Sequence, residues 1–362
     1  MYEIAQMEKG QYRVLGLMSG TSLDGLDLAL CWFNKTNQGW QYRMEATQHL
    51  PYSAHWVQLL SELPNASGPE IQRLNAAYGR FLGQHSKTFL SKHPGKVDFL
   101  ASHGHTIFHR PDLDFTYQLG SGAHLSISSG FPVVSDFRTA DVALGGQGAP
   151  LVPIGDRLLF SDYAQCLNHG GIANDSFEQK GNRVAYDIGP ANLVLNHCAQ
   201  LVGKAYDKDG QLAQSGVVIP KLLATLNALD YYQQPPPKSL GREWIDLEVF
   251  PILKPFETQA VNLARTCCEH LGQQIGKALT KGPEGKILVT GGGAYHGFLI
   301  EIIRQHCPYP IELPDSQLID YKEALIFAFL GVLRWRKENN CLASATGAKT
   351  DHSSGVIHFP KY

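Results

Sequence analysis

The stretch GLMSGTSLDGLD, residues 16–27, decides the fold prediction because it places a turn rich in hydroxyls and glycine between two apolar segments. Tyr12 to Leu17 and Leu26 to Phe33 flank this turn, so the pattern predicts strand, turn, strand. Backbone N–H groups of such a turn bind phosphate oxygens, and Asp24 is placed to hold a Mg²⁺ ion through water. A polar hairpin without a ligand is the alternative. The stretch lacks the GxxxxGK[ST] pattern, which excludes P-loop chemistry at this turn.

Strands and helices alternate outward from this stretch, which predicts an α/β protein. Runs of apolar residues predict strands, and helical spacing of apolar residues predicts helices. The predicted strands are Gln41–Leu50, Val97–Ser102, Phe131–Asp136, Cys166–His169, Val184–Asp187 and Ile287–Thr290, and the predicted helices are Glu70–Ser91, Glu257–Leu279 and Ala324–Trp335. A strand that enters a glycine turn opens both halves of the chain, which indicates an internal duplication.

Two domains are expected, because 362 residues exceed the size at which single hydrophobic cores usually stop growing. The segment GGQGAP, residues 145–150, interrupts the chain near its middle and marks a boundary. We therefore assign residues 1–140 to an N-terminal domain, completed by the C-terminal segment 336–362, and residues 141–335 to a C-terminal domain.

Composition excludes several classes of function. The 31 basic and 33 acidic residues are interspersed and give a formal net charge of -2, so no basic surface for nucleic acid is expected. No apolar run has the length of a membrane span, and residues 1–10 carry no secretory pattern. The seven cysteines form no CxxC pair, which is typical of reduced thiols in a cytoplasmic protein.

Two further glycine-containing segments carry candidate chemistry. In YDIGPAN, residues 186–192, Asp187 at a strand end is placed either as a general base or as the N-cap of the following helix. In VTGGGA, residues 289–294, the glycines allow a close approach of the backbone to a ligand, or form a simple strand-to-helix turn.

Charged residues and histidines give weaker signals. Asp136 and Arg138 follow a strand and are expected to share a face, as a surface ion pair or as a site where Arg138 recognises a carboxylate. Lys322 and Glu323 precede the buried helix, either as a favourable helix start or with Glu323 buried for a functional reason. A metal site on His103, His105 and His109 is not expected, because no carboxylate or cysteine nearby completes the set.

Together these segments resemble one family, the anhydro-N-acetylmuramic acid kinases. Residues 16–27 are similar to the family's opening motif, and further matching blocks follow in order to Gly347, over nearly the whole chain. These blocks are SHGHT (102–106), DFR (136–138), GGQGAPL (145–151), GGIAN (170–174), YDKDG (206–210), PPPKS (235–239), GRE (241–243), TGGG (290–293) and KEA (322–324).

The resemblance implies a two-domain actin-like ATPase fold of ribonuclease H-like domains, with the active site in the cleft between them. It implies an enzyme that uses ATP and Mg²⁺ to open the 1,6-anhydro ring of anhydro-N-acetylmuramic acid hydrolytically and to phosphorylate O6. The products would be N-acetylmuramic acid 6-phosphate and ADP, made by a cytoplasmic homodimer in peptidoglycan recycling.

Matching motifs imply a role for particular residues. Asp187 would be the catalytic base that activates water. Arg138, Glu323 and His103 would face the sugar. ATP and its phosphates would be bound by Ser19, Gly20, Thr21, Ser22, Asp24, Gly170, Gly171, Gly291, Gly292 and Gly293, with Asp24 also holding Mg²⁺ through water.

The chain departs from the family pattern at four positions. The family usually has DTGPGN where this chain has Ile188 and Ala191, and it prefers apolar residues at the positions of His169 and Asp175. His169 and Asp175 would then either pair or change the shape of the site. A related kinase for another sugar, or a non-catalytic member that binds sugar or nucleotide, are the alternative functions, and the presence of Asp187 argues against the second.

Overall fold

The computed structural model describes residues 10–20, 23–236 and 238–361, which divide into two compact units. The first unit runs to Leu159 and resumes at Tyr321, and the second unit is Phe160–Asp320. The boundaries predicted from the sequence lie after residues 140 and 335. The division lies elsewhere because the helix that contains Gly155 packs closely on Ile326, within the first unit.

The strands occur in two groups. In the first unit they are β1 (Gln11–Ser19), β2 (Gly25–Thr36), β3 (Gly39–Pro51), β4 (Phe99–Arg110), β5 (Phe115–Leu119), β6 (Val133–Ser135) and β12 (Val356–His358). In the second unit they are β7 (Gln165–His169), β8 (Ile172–Gln179), β9 (Asn182–Pro190), β10 (Ile287–Thr290) and β11 (Ile311–Glu312).

The helices cover both units, and one of them crosses the boundary. In chain order they are α1 (Ala54–Glu62), α2 (Gly68–Ser91), α3 (Gly122–Ser129), α4 (Thr139–Ala143), α5 (Val152–Leu159), α6 (Asn192–Gln200), α7 (Gln211–Gln214), α8 (Pro220–Asn227), α9 (Arg242–Trp244), α10 (Phe250–Leu253), α11 (Ala260–Lys281), α12 (Gly297–His306), α13 (Ser316–Trp335) and α14 (Ala343–Thr346). Among the described residues, we find no helix with the length and apolar character that a membrane crossing requires.

The two sheets repeat one topology. The first sheet has the order β12-β6-β4-β1-β2-β3, with β5 beside β4, and the second has the order β11-β10-β7-β8-β9. In each sheet the first three strands are antiparallel, and two later strands are added in parallel beside the first of them. This repeat confirms the predicted pair of α/β domains with ribonuclease H-like topology and the indication of an internal duplication.

Close packing against β1 fixes the helix that carries the KEA block. A Cβ atom at Gly16 would clash with the backbone carbonyl of Ala324, so only glycine allows this approach. The face of α13 from Ala324 to Leu333 is buried. The helix begins at Ser316 and not at residue 324, so the prediction that Lys322 and Glu323 open it is wrong.

Candidate functional site

The β1–β2 turn is anchored by a buried chain of hydrogen bonds. The hydroxyl oxygen of Ser19 lies 2.6 Å from the Tyr52 hydroxyl and 2.8 Å from Nδ1 of His105, and the Tyr52 and Tyr78 hydroxyls are 2.5 Å apart. Burial lowers the pKa of His105 to about 4, so its ring is neutral at neutral pH. The hydroxyl of Ser19 is therefore engaged inside the first unit, and only its backbone remains for the phosphate contact predicted from the sequence.

The acidic part of this turn faces solvent. Asp24 is exposed, and its carbonyl oxygen accepts a hydrogen bond from the N–H of Tyr52 at 3.2 Å. Asp27 on β2 lies 2.7 Å from Nδ1 of His49. Gly20 is half-buried, whereas Thr21 and Ser22 lie outside the described residues. The turn therefore presents an exposed carboxylate beside a glycine.

Arg138 is held by two groups of the first unit. Its Nε and Nη2 atoms both lie 3.0 Å from Nε2 of His103, and its Nη1 donates to the carbonyl oxygen of Gly148 at 2.6 Å. Nδ1 of His103 lies 2.9 Å from the carbonyl of Gly104, which requires a proton on Nδ1 and leaves Nε2 as the acceptor. Burial and the charge of Arg138 lower the pKa of His103 well below 6.5, which keeps this tautomer neutral.

The predicted shared strand face of Asp136 and Arg138 is wrong. Strand β6 ends at Ser135, and Asp136 takes a left-handed backbone conformation with φ of 59°, so the alternation of a strand does not continue. The Asp136 carboxylate instead accepts the N–H of Thr139, the first residue of α4, at 3.3 Å. The side chain of Phe137 is buried between them.

Glu323 and Lys322 have different environments although they are neighbours on α13. Lys322 is buried and pairs with Asp156 of α5 at 2.8 Å, whereas Glu323 is solvent-accessible. Surrounding protein restricts hydration of the Glu323 carboxyl and raises its pKa, and the charge of Arg138 opposes this rise. Glu323 and Arg138 are thus electrostatic neighbours within the first unit.

The remaining histidines of β4 have separate partners. Nδ1 of His109 lies 3.1 Å from the hydroxyl of Thr116, whereas His105 contacts Ser19 and His103 contacts Arg138. A cavity of about 260 Å³ adjoins this strand and is lined in part by Ser102, His103, Ser135, Asp136 and His358. Of the residues predicted to bind sugar, only His103 lines this cavity. We therefore assign the cavity no role in sugar binding.

Asp187 lies on β9 in the second unit and is fixed on three sides. Its Oδ2 accepts the N–H of Leu240 at 2.9 Å, its own N–H donates to the carbonyl of Lys238 at 3.0 Å, and its carbonyl accepts the hydroxyl of Tyr231 at 2.6 Å. The side chain is half-buried. Desolvation raises the pKa of its carboxyl, and the hydrogen bond from Leu240 opposes that rise.

Sequence reasoning missed the residues that hold Asp187. Backbone atoms of Lys238 and Leu240 hydrogen-bond to Asp187, and neither residue is among the predicted site residues. The signal was present in the PPPKS and GRE blocks on either side of Leu240. A backbone hydrogen bond places no other constraint on which residue occupies the position, because every residue except proline supplies an N–H.

The glycine segments of the second unit meet at the ends of β7 and β10. The N–H groups of Ala191 and Leu193 donate to the carbonyl of Gly171 at 2.8 and 3.2 Å, and the N–H of Asn192 donates to the carbonyl of Gly170 at 3.1 Å. Gly291 has a φ of 83° and packs against Asn168 and His169. Since β7 and β10 are parallel neighbours, both glycine turns leave the same edge of the sheet. The structure thus brings Gly170 and Gly171 close to Gly291, Gly292 and Gly293.

The four departures from the family pattern all lie inside the second unit. Ile188 and Ala191 are 3% and 0% exposed and belong to its hydrophobic core. His169 and Asp175 are fully buried, and neither ring nitrogen of His169 has a hydrogen-bond partner. His169 and Asp175 therefore do not form the hydrogen-bonded pair that the sequence analysis considered.

Comparisons with known proteins find similarity over nearly the whole chain. The family model described as "AnmK: Anhydro-N-acetylmuramic acid kinase" matches residues 12–360. The anhydro-N-acetylmuramic acid kinase of Aliivibrio fischeri is 34% identical over 96% of this chain and 99% of its own length. The protein of the same name from Vibrio cholerae is 34% identical over 96% of this chain and 98% of its own length. A solved structure, component A of the (R)-2-hydroxyglutaryl-CoA dehydratase of Acidaminococcus fermentans, is 12% identical and covers 90% of this chain and all of its own, at a TM-score of 0.47.

The sheet topology and the family match define a kinase built from two ribonuclease H-like units. The chain belongs to the anhydro-N-acetylmuramic acid kinase family, because the family model and both relatives span nearly its whole length. The resemblance inferred from the sequence is therefore confirmed.

Proposed function

We propose that this chain is an ATP-dependent kinase that opens the 1,6-anhydro ring of anhydro-N-acetylmuramic acid and phosphorylates O6, producing N-acetylmuramic acid 6-phosphate and ADP. The observation that carries the proposal is the fixed position of Asp187, whose backbone and carboxylate are both bonded to protein groups. Such anchoring suits a catalytic carboxylate, since proton transfer requires a defined orientation.

Asp187 would act as the general base. The oxygen of a water molecule bonds to C1 of the sugar while the bond between C1 and O6 breaks, and Asp187 accepts the proton of that water. This step parallels an inverting glycosidase, in which a carboxylate activates water on the face opposite the departing oxygen. A raised pKa strengthens Asp187 as a proton acceptor, provided that the group stays ionised at working pH.

The released O6 would then accept the γ-phosphoryl group of ATP. The turn that contains Ser19, Gly20 and Asp24 and the turns at Gly170, Gly171 and Gly291–Gly293 are our proposed phosphate and nucleotide contacts, through backbone N–H groups. Thr21 and Ser22 belong to the same proposal. A lysine is not required, because such transfer depends mainly on positioning and charge neutralisation.

Mg²⁺ fits the donor chemistry of the β1–β2 turn. Asp24 offers an exposed carboxylate, and Mg²⁺ typically keeps several waters while it binds one or two carboxylates and substrate phosphates. When bound, the ion would neutralise charge on the phosphate oxygens. Asp24 would hold it through water.

Arg138, with Glu323 beside it, would recognise the sugar. A guanidinium forms bidentate contacts with carboxylates, and the lactyl group of the substrate carries a carboxylate. His103 is buried behind Arg138 and would act through it. We also propose, from family membership, that the enzyme is a cytoplasmic homodimer that serves peptidoglycan recycling.

A substrate comparison tests this proposal. ADP production is measured with 1,6-anhydro-N-acetylmuramic acid, N-acetylmuramic acid and glucose, each at the same concentration with ATP and Mg²⁺. We expect turnover with the anhydro sugar and a kcat/KM at least about 100-fold lower with the other two, since a mismatched polar site loses that much. Equal turnover with the open sugars would instead support a kinase for another sugar.

A further inference from the structure

Three potential metal ligands converge in the first unit, near Arg138 but separate from its contacts with His103. One ligand atom each from Asp141, Cys341 and His352 lies within 4.8 Å of the others. Asp141 and Cys341 are 0% and 1% exposed, and the His352 side chain is 10% exposed. A carboxylate, a thiol and an imidazole are the donor types that zinc sites in proteins use.

The backbone directs two of these side chains to one side. Cys341 and His352 form an isolated antiparallel bridge in which each N–H donates to the carbonyl of the other, at 3.1 and 3.2 Å. Residues paired in this way project their side chains to the same face. Asp141 approaches from α4 and is fixed by the N–H of Gly148 and the hydroxyl of Thr346, both at 2.7 Å.

Nε2 of His352 and Oδ1 of Asp141 face each other in this cluster. Its Nδ1 lies 3.1 Å from the carbonyl oxygen of Thr350, which requires a proton on Nδ1. In the neutral ring, Nε2 then carries a lone pair, and this buried atom has no hydrogen-bond partner. It lies 3.6 Å from Oδ1 of Asp141, another acceptor. A proton on Nε2 would make this contact favourable as an ion pair, and a metal cation between the two atoms would do the same.

The geometry points to zinc as this cation: we propose that Asp141, Cys341 and His352 bind one Zn²⁺ ion. Tetrahedral zinc with bonds of about 2.0–2.3 Å places neighbouring ligand atoms about 3.3–3.6 Å apart, and the Asp141–His352 separation of 3.6 Å already fits. Metal-bound histidines usually donate their second N–H to a backbone carbonyl, as His352 does to Thr350. Water fills the fourth position.

Zinc binding would require loss of the Cys341 proton. Burial and the nearby Asp141 raise the pKa of this thiol to about 12, so the thiol is protonated without metal. One proton is released when the thiolate binds the ion, and the affinity therefore rises with pH. The site would also stabilise the loop at Gly148, because Gly148 bonds Asp141 through its N–H and Arg138 through its carbonyl.

The test uses the full-length protein, stripped with a chelator and titrated with Co²⁺ as a spectroscopic probe and then with Zn²⁺. We expect one equivalent of Co²⁺ with a thiolate charge-transfer band, displaced by one equivalent of Zn²⁺. Absence of the band in the wild-type protein overturns the proposal. Asp141 is left intact, because its carboxylate also holds the Gly148 loop.

Two variants locate the site. Cys341→Ser should abolish the thiolate band. His352→Gln should weaken Co²⁺ binding at least about 10-fold, because even residues that only hydrogen-bond to a metal ligand contribute that much to metal affinity. Cys31→Ser, at another buried cysteine of the same unit, is the matched control and should keep the band. A band that persists in Cys341→Ser, or unchanged affinity in His352→Gln, contradicts the assignment. Circular dichroism establishes that each variant is folded, and either variant decides the question without the other.

Discussion

The guanidinium of Arg138 is fixed by the ring of His103, because Nε and Nη2 both donate to Nε2 of His103 at 3.0 Å. This contact exists only while Nε2 carries no proton. The low pKa of the buried His103 ensures that state, and the carbonyl of Gly104 fixes the tautomer. His103 is thus a positioning residue, and Arg138 is the group that we expect to contact the sugar.

Arg138→Ala should weaken sugar binding far more than ATP binding. Hydrogen bonds to charged groups contribute about 1.5–3 kcal/mol, which corresponds to about 10–150-fold in Kd. Calorimetric titration of the variant with the anhydro sugar and, separately, with ATP measures both affinities. An equal loss of the two affinities would count against Arg138 as a sugar contact.

His103→Leu should weaken sugar binding less than Arg138→Ala, because it removes only the group that orients the guanidinium. The double variant should bind sugar no more weakly than Arg138→Ala alone, since a positioning residue has no effect once its target is absent. The same titrations measure this. Additive losses in the double variant would show that His103 contacts the sugar independently.

His169→Leu should reduce the loss of unfolding free energy that occurs as pH falls from 6.5 towards 4. Burial lowers the pKa of His169 from 6.5 to about 4. The unfolded chain therefore binds more protons in this range, so the contribution of neutral His169 is complete above pH 6.5 and is lost as pH falls towards 4. Urea unfolding at several pH values measures the slope. The exposed His55→Leu is the control and should keep the wild-type slope; an unchanged slope in His169→Leu would contradict the prediction.

Lys322→Met should destabilise the first unit, because it removes the 2.8 Å ion-pair partner of the buried Asp156, and loss of one member of a buried ion pair typically costs about 3–5 kcal/mol. The double variant Asp156→Leu/Lys322→Met removes both charges and should recover much of the loss. Chemical unfolding monitored by fluorescence measures both free energies. A single variant as stable as the wild type would mean that the pair makes no contribution to stability.

The sequence predicted those parts of the fold that local patterns determine. The segment Ile287–Thr290 has the predicted bounds, and β1 and β2 extend only a few residues beyond the predicted strands. Repetition of a strand before a glycine turn correctly indicated the duplicated topology. These features depend on alternation and on turn residues, which a single sequence contains.

The predictions that failed concern features that apolar spacing and turn residues do not encode. The polar first turns of α13 belong to the helix although Lys322 is charged, because Asp156 neutralises that charge inside the unit. Asp136 ends β6 by adopting a positive φ, which a residue other than glycine rarely does. The role of Leu240 is carried by its N–H and could not be inferred from its side chain.

Asp187→Asn should reduce turnover by about 10²–10⁴-fold, as loss of a general base does. The amide oxygen can still accept the N–H of Leu240, so the fold and ATP affinity should change little. Steady-state ADP release and ATP titration measure the two properties. Glu248→Gln, the same type of change at an exposed residue of the second unit, should retain wild-type turnover. Retention of more than about a tenth of the rate by Asp187→Asn would remove Asp187 from the role of base.

The most direct test of the central claim is the mass of the product formed from 1,6-anhydro-N-acetylmuramic acid, ATP and Mg²⁺. The account predicts a sugar that has gained both one phosphoryl group and one water molecule, because ring opening by water accompanies transfer to O6. A phosphorylated sugar without the added water would contradict the role of Asp187 in activating water, and no turnover at all would contradict the proposed substrate.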